Sequence, residues 1–142
     1  MGNQDIYNYN LQVMGTRAII NGVKKAGIAR LLLVGGAGSL EVKPGVQAVD
    51  LPGFPSEYKQ GALATRETLK MLRKESTLDW SFLFPSADLS PGQRTGKFRL
   101  GSDQMLSDAT GKSRISLEDY AVAMVDEGER PAHIRQGFTV GY

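Results

Sequence analysis

The run "RLLLV" at residues 30–34 sets four apolar side chains in a row, with no alternation. A strand with one wet face alternates apolar and polar residues, so a strand that does not alternate is covered on both faces. Sheets covered in that way are parallel, and the covering is supplied by helices that cross between strands. Neighbouring segments fit this requirement. "LQVMGTRAIINGVKKAG" feeds directly into the run, and Leu11, Met14, Ala18, Ile19, Val23 and Ala26 are spaced to form one inward helical face. Asn8 or Asn10 can cap its start, Lys24 and Lys25 suit the negative end of its dipole, and Gly27 ends it. A second helix is predicted from about Ser56 to Glu75, with Tyr58, Ala62, Leu69 and Leu72 turned inward. "DWSFLF" is then a second strand, closed by Pro85. Helix, strand, helix, strand in this order predicts an α/β fold with a parallel sheet and flanking helices.

Beyond Pro85, "GKFRLG" alternates and "DQMLSDATGKSRIS" carries a turn signal at Thr110-Gly111, which together predict a C-terminal hairpin. "SLED" from Ser116 reads as a capping box that opens a last helix, buried through Leu117, Ala121, Met124 and Val125. Glu118 and Asp119 are accordingly capping residues rather than an acid/base pair. Pro131 stops that helix and "GFTVGY" is a terminal strand. With no internal repeat, residues 1–142 are expected to form one domain. Between the first strand and second helix, "EVKPGVQAVDLPGFPSEY" holds Pro44, Gly45, Pro52, Gly53 and Pro55 and predicts a long irregular loop. Loops of that length are often functional, as active-site lids are.

Composition removes several function classes. There is no cysteine, which excludes disulfides, thiolate chemistry and cysteine-ligated zinc. His133, the one histidine, has no carboxylate cluster around it in sequence, so no metal site is expected. The 17 basic and 15 acidic residues are spread along the chain, giving a net charge of +2. The densest basic stretch, Arg94, Lys97 and Arg99, reads as a solvated strand face, and no nucleic-acid partner is expected. "MGNQDIYNYN" has no apolar signal core, and residue 6 is Ile where a myristoylation site at Gly2 needs Ser or Thr. Leu31 to Val34 is too short to cross a bilayer, so the expectation is a cytoplasmic protein with no membrane partner.

The glycine-rich loop "GGAGS" follows the first strand. A phosphate-binding loop needs a helix opening directly behind it, and here Pro44 and Gly45 intervene with no helix for almost twenty residues. The third fingerprint position is Glu41 instead of glycine. Two readings remain open: glycines that let a flat group approach the backbone at the end of a strand, or a tight turn that needs positive φ.

"RLLLVGGAGSLEV", "FPSEYKQGALATRETLKMLRKE", "LDWSFLFPSA", "GQRTGKFRLG" and "RISLEDYAVAMVDE" resemble the later portion of the NAD(P)H-binding, atypical short-chain dehydrogenase/reductases of NADH-flavin reductase-like or NmrA-like type. The resemblance runs from about Leu11 to Tyr142 and implies an incomplete Rossmann-like sheet. Members of that family open with a strand, a GxxGxxG loop and a helix that grip the cofactor pyrophosphate. At roughly 30 residues per βαβ unit, some 60 residues of the family pattern would precede this one. By resemblance the cofactor is NAD(P)H, with Gly35, Gly36 and Ala37 on the nicotinamide side and Phe84, Pro85 and Ser86 on the opposite wall. Leu40, Phe54 and Tyr58 would form the pocket of a small-molecule or flavin acceptor.

The catalytic hydroxyl of related reductases is missing from the strand end, and Ser39 is the nearest substitute. The Tyr-x-x-x-Lys positions fall on Lys59 and Leu63, while the adjacent Tyr58 is followed four residues later by Ala62. Ser39 and Tyr58 are the remaining catalytic candidates. The implied activity is reduction of a flavin or quinone-like acceptor, which needs little acid/base machinery. The alternative is a non-catalytic nucleotide sensor or interaction protein. An open edge on the first strand also predicts a homo-oligomer.

Overall fold

The computed structural model describes residues 3–142, with side chains from Asn8 onward. Helix α1 spans Asn3–Lys25 and leads through Gly27, at φ 71°, into β1, Arg30–Val34. Helix α2 is Ser56–Arg73 and β4 is Asp79–Phe84; α3 is Leu117–Glu129 and β8 is Gln136–Gly141. Between β1 and α2 lie two short strands, β2 (Glu41–Lys43) and β3 (Val46–Gln47). Three more, β5 (Asp88–Ser90), β6 (Arg99–Gly101) and β7 (Arg114–Ser116), lie between β4 and α3.

The main sheet has the order β1-β4-β8-β6. The first three strands are parallel, and β6 runs antiparallel against β8. β4 shows why its sequence does not alternate. Trp80, Phe82 and Phe84 enter one core, shared with Ile20 of α1 and with Leu69 and Leu72 of α2. Leu83 enters the other, with Tyr120 and Ala123 of α3 and Phe138 and Val140 of β8. Helices therefore cover both faces, as the apolar runs require. β1 lies at the sheet edge, half-buried through Leu31 to Leu33, while Val34 is exposed.

Several expectations are corrected. The helix begins at Asn3, so neither Asn8 nor Asn10 caps it. Leu11, Met14 and Ile19 are exposed. The inward side carries Ile20 and Val23, with Thr16 bonded to Thr68 and Gln12 to Thr65 of α2. Polar pairs between the two helices displace the expected stripe by roughly one residue. Tyr58 on α2 is also exposed rather than inward, as are Leu117 and Val125 on α3. The segment after β1 is not irregular. β2 and β3 form a small antiparallel pair around Gly45 at φ 76°, followed by a 3-10 turn at Ala48–Asp50.

The C-terminal antiparallel pair exists, but its members differ from the expected ones. Arg99–Gly101 pairs with β8, and Arg114–Ser116 pairs in parallel with β5. The Thr110-Gly111 turn is real, closed by Asp108, which accepts from Thr110 and Lys112 and fixes Arg114. It joins two strands that do not pair with each other.

Candidate functional site

β1 and β4 end side by side, with the Gly35 N–H donating to the Leu83 carbonyl at 2.8 Å. None of Gly35, Gly36 and Gly38 has positive φ, which removes the tight-turn reading. What they lack room for is a Cβ. One on Gly35 would overlap the Phe82 ring and lie 2.9 Å from the Leu83 oxygen. One on Gly38 would lie 2.8 Å from Ala62 Cβ, and one on Gly36 3.3 Å from Thr65 Cγ2. The space beside these glycines is filled by β4 and α2. The loop lets the strand end pack closely against its own protein.

Ala37–Ser39 then forms a 3-10 turn. Ser39 is 3% exposed, and its Oγ has no hydrogen-bond partner among the described residues. A buried hydroxyl left unpaired costs about 1–3 kcal/mol, so Ser39 keeps bonding capacity in hand. Leu40 behind it is fully buried.

On β4, Phe84 is 0% exposed and stacks edge-on against Phe82, with centroids 5.0 Å apart. Pro85 is buried, and the Ser86 hydroxyl donates to the Val140 carbonyl at 2.8 Å. The side chains of Phe84 and Leu40 thus belong to the core and form no cleft wall. Phe54 is half-buried and Tyr58 stands in solvent, 65% exposed. The β1–β4 pairing sets Gly35 against Leu83, two residues before Pro85, while Ala37 to Ser39 form a turn that packs on α2. The structure does not bury Tyr58 or give it a lysine.

The feature that sequence reasoning missed is built around Asp119. Its backbone N–H donates to Ser116 Oγ, half of the expected capping box. Its carboxylate does not reach back. Instead it accepts from Thr95 N–H (2.9 Å), Thr95 Oγ1 (2.6 Å), Gly96 N–H (2.8 Å) and the Tyr142 hydroxyl (2.6 Å). Burial opposes ionisation, yet the bonds from Thr95, Tyr142 and Gly96 prevail and hold this carboxyl below its ordinary value. Glu118 accepts from the Gly92 N–H at 2.8 Å. The two acids tie the 91–97 loop to the start of α3. The available sequence signal was the glycine at position 96, which in the structure has φ 67° and lets the loop turn its amides inward. Between this loop, β5 and β7 lies a cleft of about 540 Å³.

A second buried acid, Glu127, holds the opposite, amino end of the sheet. It accepts from Arg30 (2.9 Å) and the His133 N–H (2.9 Å), and pairs with His133 Nδ1 at 2.8 Å. Burial raises its pKa, but the His133, Ala132 and Ser81 bonds outweigh that and keep it lowered. His133 stacks on Phe138 at 4.0 Å. Among the described residues no three metal-ligating side chains gather, and no helix is long and apolar enough to cross a membrane.

To a nicotinamide cofactor these residues offer one unpaired group, the buried Ser39 hydroxyl, whereas the glycines are occupied by protein and leave no cradle for a pyrophosphate. YwnB of Bacillus subtilis, an uncharacterised protein, is 43% identical over 134 residues, 92% of this chain and 63% of its own length. A crystal structure of a candidate exported protein from Burkholderia pseudomallei superposes with a TM-score of 0.89 at 47% identity, covering 94% of this chain and 65% of that one. That of a candidate NADH-flavin reductase from Streptococcus pneumoniae gives 0.84 at 32% identity, covering 99% and 68%. The chain thus spans less than two thirds of the length of YwnB and of the Burkholderia protein. The family model described as NAD(P)H-binding matches residues 2–128, and the chain belongs to that NAD(P)H-binding family.

Proposed function

We propose that this chain forms the nicotinamide-end portion of a site that reduces a flavin or quinone-like acceptor with NAD(P)H. The observation that carries the reading is the Ser39 hydroxyl, buried and unpartnered in the turn that follows β1. A cofactor held there would supply a hydride to the acceptor. Ser39 would hold the carboxamide by hydrogen bonding once the turn around it admits a ligand, and the backbone of Gly35 to Ala37 would lie beside the ring. Pro85 closes the other side through main-chain shape, since the Phe84 ring is turned into the core. The likeness to the Streptococcus pneumoniae candidate NADH-flavin reductase supports this choice of acceptor.

A second reading, a nucleotide-sensing protein without turnover, is favoured by Tyr58, which is exposed and has Ala62 where a proton-donating dyad has lysine. Self-association belongs to either reading. Leu11, Met14, Ile19 and Val34 leave apolar surface on α1 and at the β1 edge, which a second copy would cover. A monomer by light scattering removes that part.

The deciding experiment is calorimetric titration of NADH and NADPH into the wild type and Ser39→Ala. Micromolar binding that weakens about tenfold in the variant supports the reading, because one hydrogen bond is lost. Binding without flavin reduction selects the sensor. No binding at millimolar cofactor ends both.

A further inference from the structure

The cleft between the 91–97 loop and β7 has no role in the hydride site, yet it has the size of a ligand pocket at about 540 Å³. We infer that it binds a phosphorylated polyol, the arm of a mononucleotide whose ring lies at the ends of β1 and β4. The placement of the ring rests on the function proposed above; the chemistry of the cleft does not.

Two cations line it. Arg114 lies over the Tyr142 ring, 5.8 Å from its centroid, and its Nε is fixed by Asp108 at 3.0 Å. The terminal nitrogens of that guanidinium have no partner among the described residues, and neither has Lys97 Nζ. A guanidinium held by Asp108 and a free ammonium lining the same cleft are groups suited to phosphate oxygens. The third charge is Asp88, whose carboxylate has no partner among the described residues either. It would repel a bare phosphate. A carboxylate next to Ser90 is instead suited to accept from the hydroxyls of a sugar or sugar alcohol, as acidic residues do with ribose. Cations for the phosphate and an acid for the hydroxyls together specify a phosphate borne on a polyol.

The walls are fixed before any ligand arrives. Asp119 holds Thr95, Gly96 and Tyr142, Glu118 holds Gly92, and Ser116 Oγ donates to the Gln93 carbonyl at 2.8 Å. A site already ordered spends none of its binding energy on ordering loops. Its location also fits. Asp88 is three residues beyond Pro85, at most about 11 Å of chain, which is within the reach of a five-carbon arm and its phosphate.

Two mononucleotides carry such an arm, and both can be tested against their phosphate-free partners. Calorimetry would compare flavin mononucleotide with riboflavin, and nicotinamide mononucleotide with nicotinamide riboside. The expected result is about tenfold tighter binding of the phosphorylated member in at least one pair. Lys97→Ala, at an exposed position that leaves folding intact, should erase that advantage without weakening the phosphate-free member. Equal affinities within both pairs, or an advantage that survives Lys97→Ala, would overturn the inference while leaving the acceptor site standing. Ribose 5-phosphate, which has the arm and no ring, separates the two claims. If it binds and responds to Lys97→Ala while no ring compound binds, the cleft stands and the hydride site falls. If nothing binds, both fall.

Discussion

Replacing Gly35 by alanine tests what the glycine loop is for. The added Cβ would overlap the Phe82 ring and lie 2.9 Å from the Leu83 oxygen, against which Gly35 also makes a 2.8 Å hydrogen bond. Phe82 is fully buried beside Phe84 and has nowhere to turn. Overpacking of that kind costs about 1–3 kcal/mol, and distortion of the β1–β4 hydrogen bond puts the expected loss near the upper end, about 2–3 kcal/mol. For a domain of this size that lowers Tm by roughly 6–10 °C. The control is Gly22→Ala. That glycine lies inside α1 with no atom within 4 Å of its would-be Cβ, so alanine should stabilise by about 0.5–1 kcal/mol. Urea unfolding of both variants supplies the numbers. A Gly35→Ala protein within about 0.5 kcal/mol of wild type, but with weakened cofactor binding, would refute the packing argument. The glycine would then serve a ligand.

Other perturbations have definite signs. Asp119 is held below its ordinary carboxylate value, so its contribution to stability is full above that value and is lost as pH falls through the folded one. The urea midpoint of wild type should therefore drop from neutral pH to about pH 3, and Asp119→Asn should start lower and fall less steeply. Arg30→Met leaves Glu127 buried without its cation; because Arg30 is itself partly exposed, the expected loss is about 2–3 kcal/mol by chemical denaturation. A loss under about 0.5 kcal/mol would show that His133 and the backbone donors suffice. Tyr58→Phe should change neither stability nor the rate of flavin reduction, and a tenfold slower rate in stopped-flow would make Tyr58 a proton donor after all.

Legibility in the sequence followed the range of the interaction. β4 is apolar on both faces and ends at a proline, and its bounds, Asp79–Phe84, are those its residues predict. Ser116 caps α3 as its local pattern says. The inward side of α1 was misjudged because Leu11 and Met14 are as apolar as Ile20, and only partners on α2, Thr65 and Thr68, decide which side turns in. The strands β6 and β7 lie where their residues predict, but their partners are not the predicted ones, for a similar reason. A turn at Thr110-Gly111 says that the chain reverses, not that Arg99–Gly101 will find β8 and Arg114–Ser116 will find β5. At the site, Ser39 was identifiable as the nearest hydroxyl, but its want of a partner is a property of the packed surroundings. Asp119 reads locally as half a capping box, which its N–H fulfils, while its carboxylate is held by Thr95 and Tyr142, both distant in sequence.

The order of strands also sets a timetable. β8 lies between β4 and β6, and it pairs with β4 across a separation of 55 residues, as between Phe84 and Thr139. A ribosome that adds about 5–20 residues each second makes that interval about 3–11 s. Throughout it, β4 has one flank without its neighbour, although Phe82, Leu83 and Phe84 tolerate no water in the finished protein. The nascent chain should therefore be a client of whatever holds hydrophobic strands during synthesis, and its yield should depend on translation speed through residues 85–136 more than on the stability of the folded product.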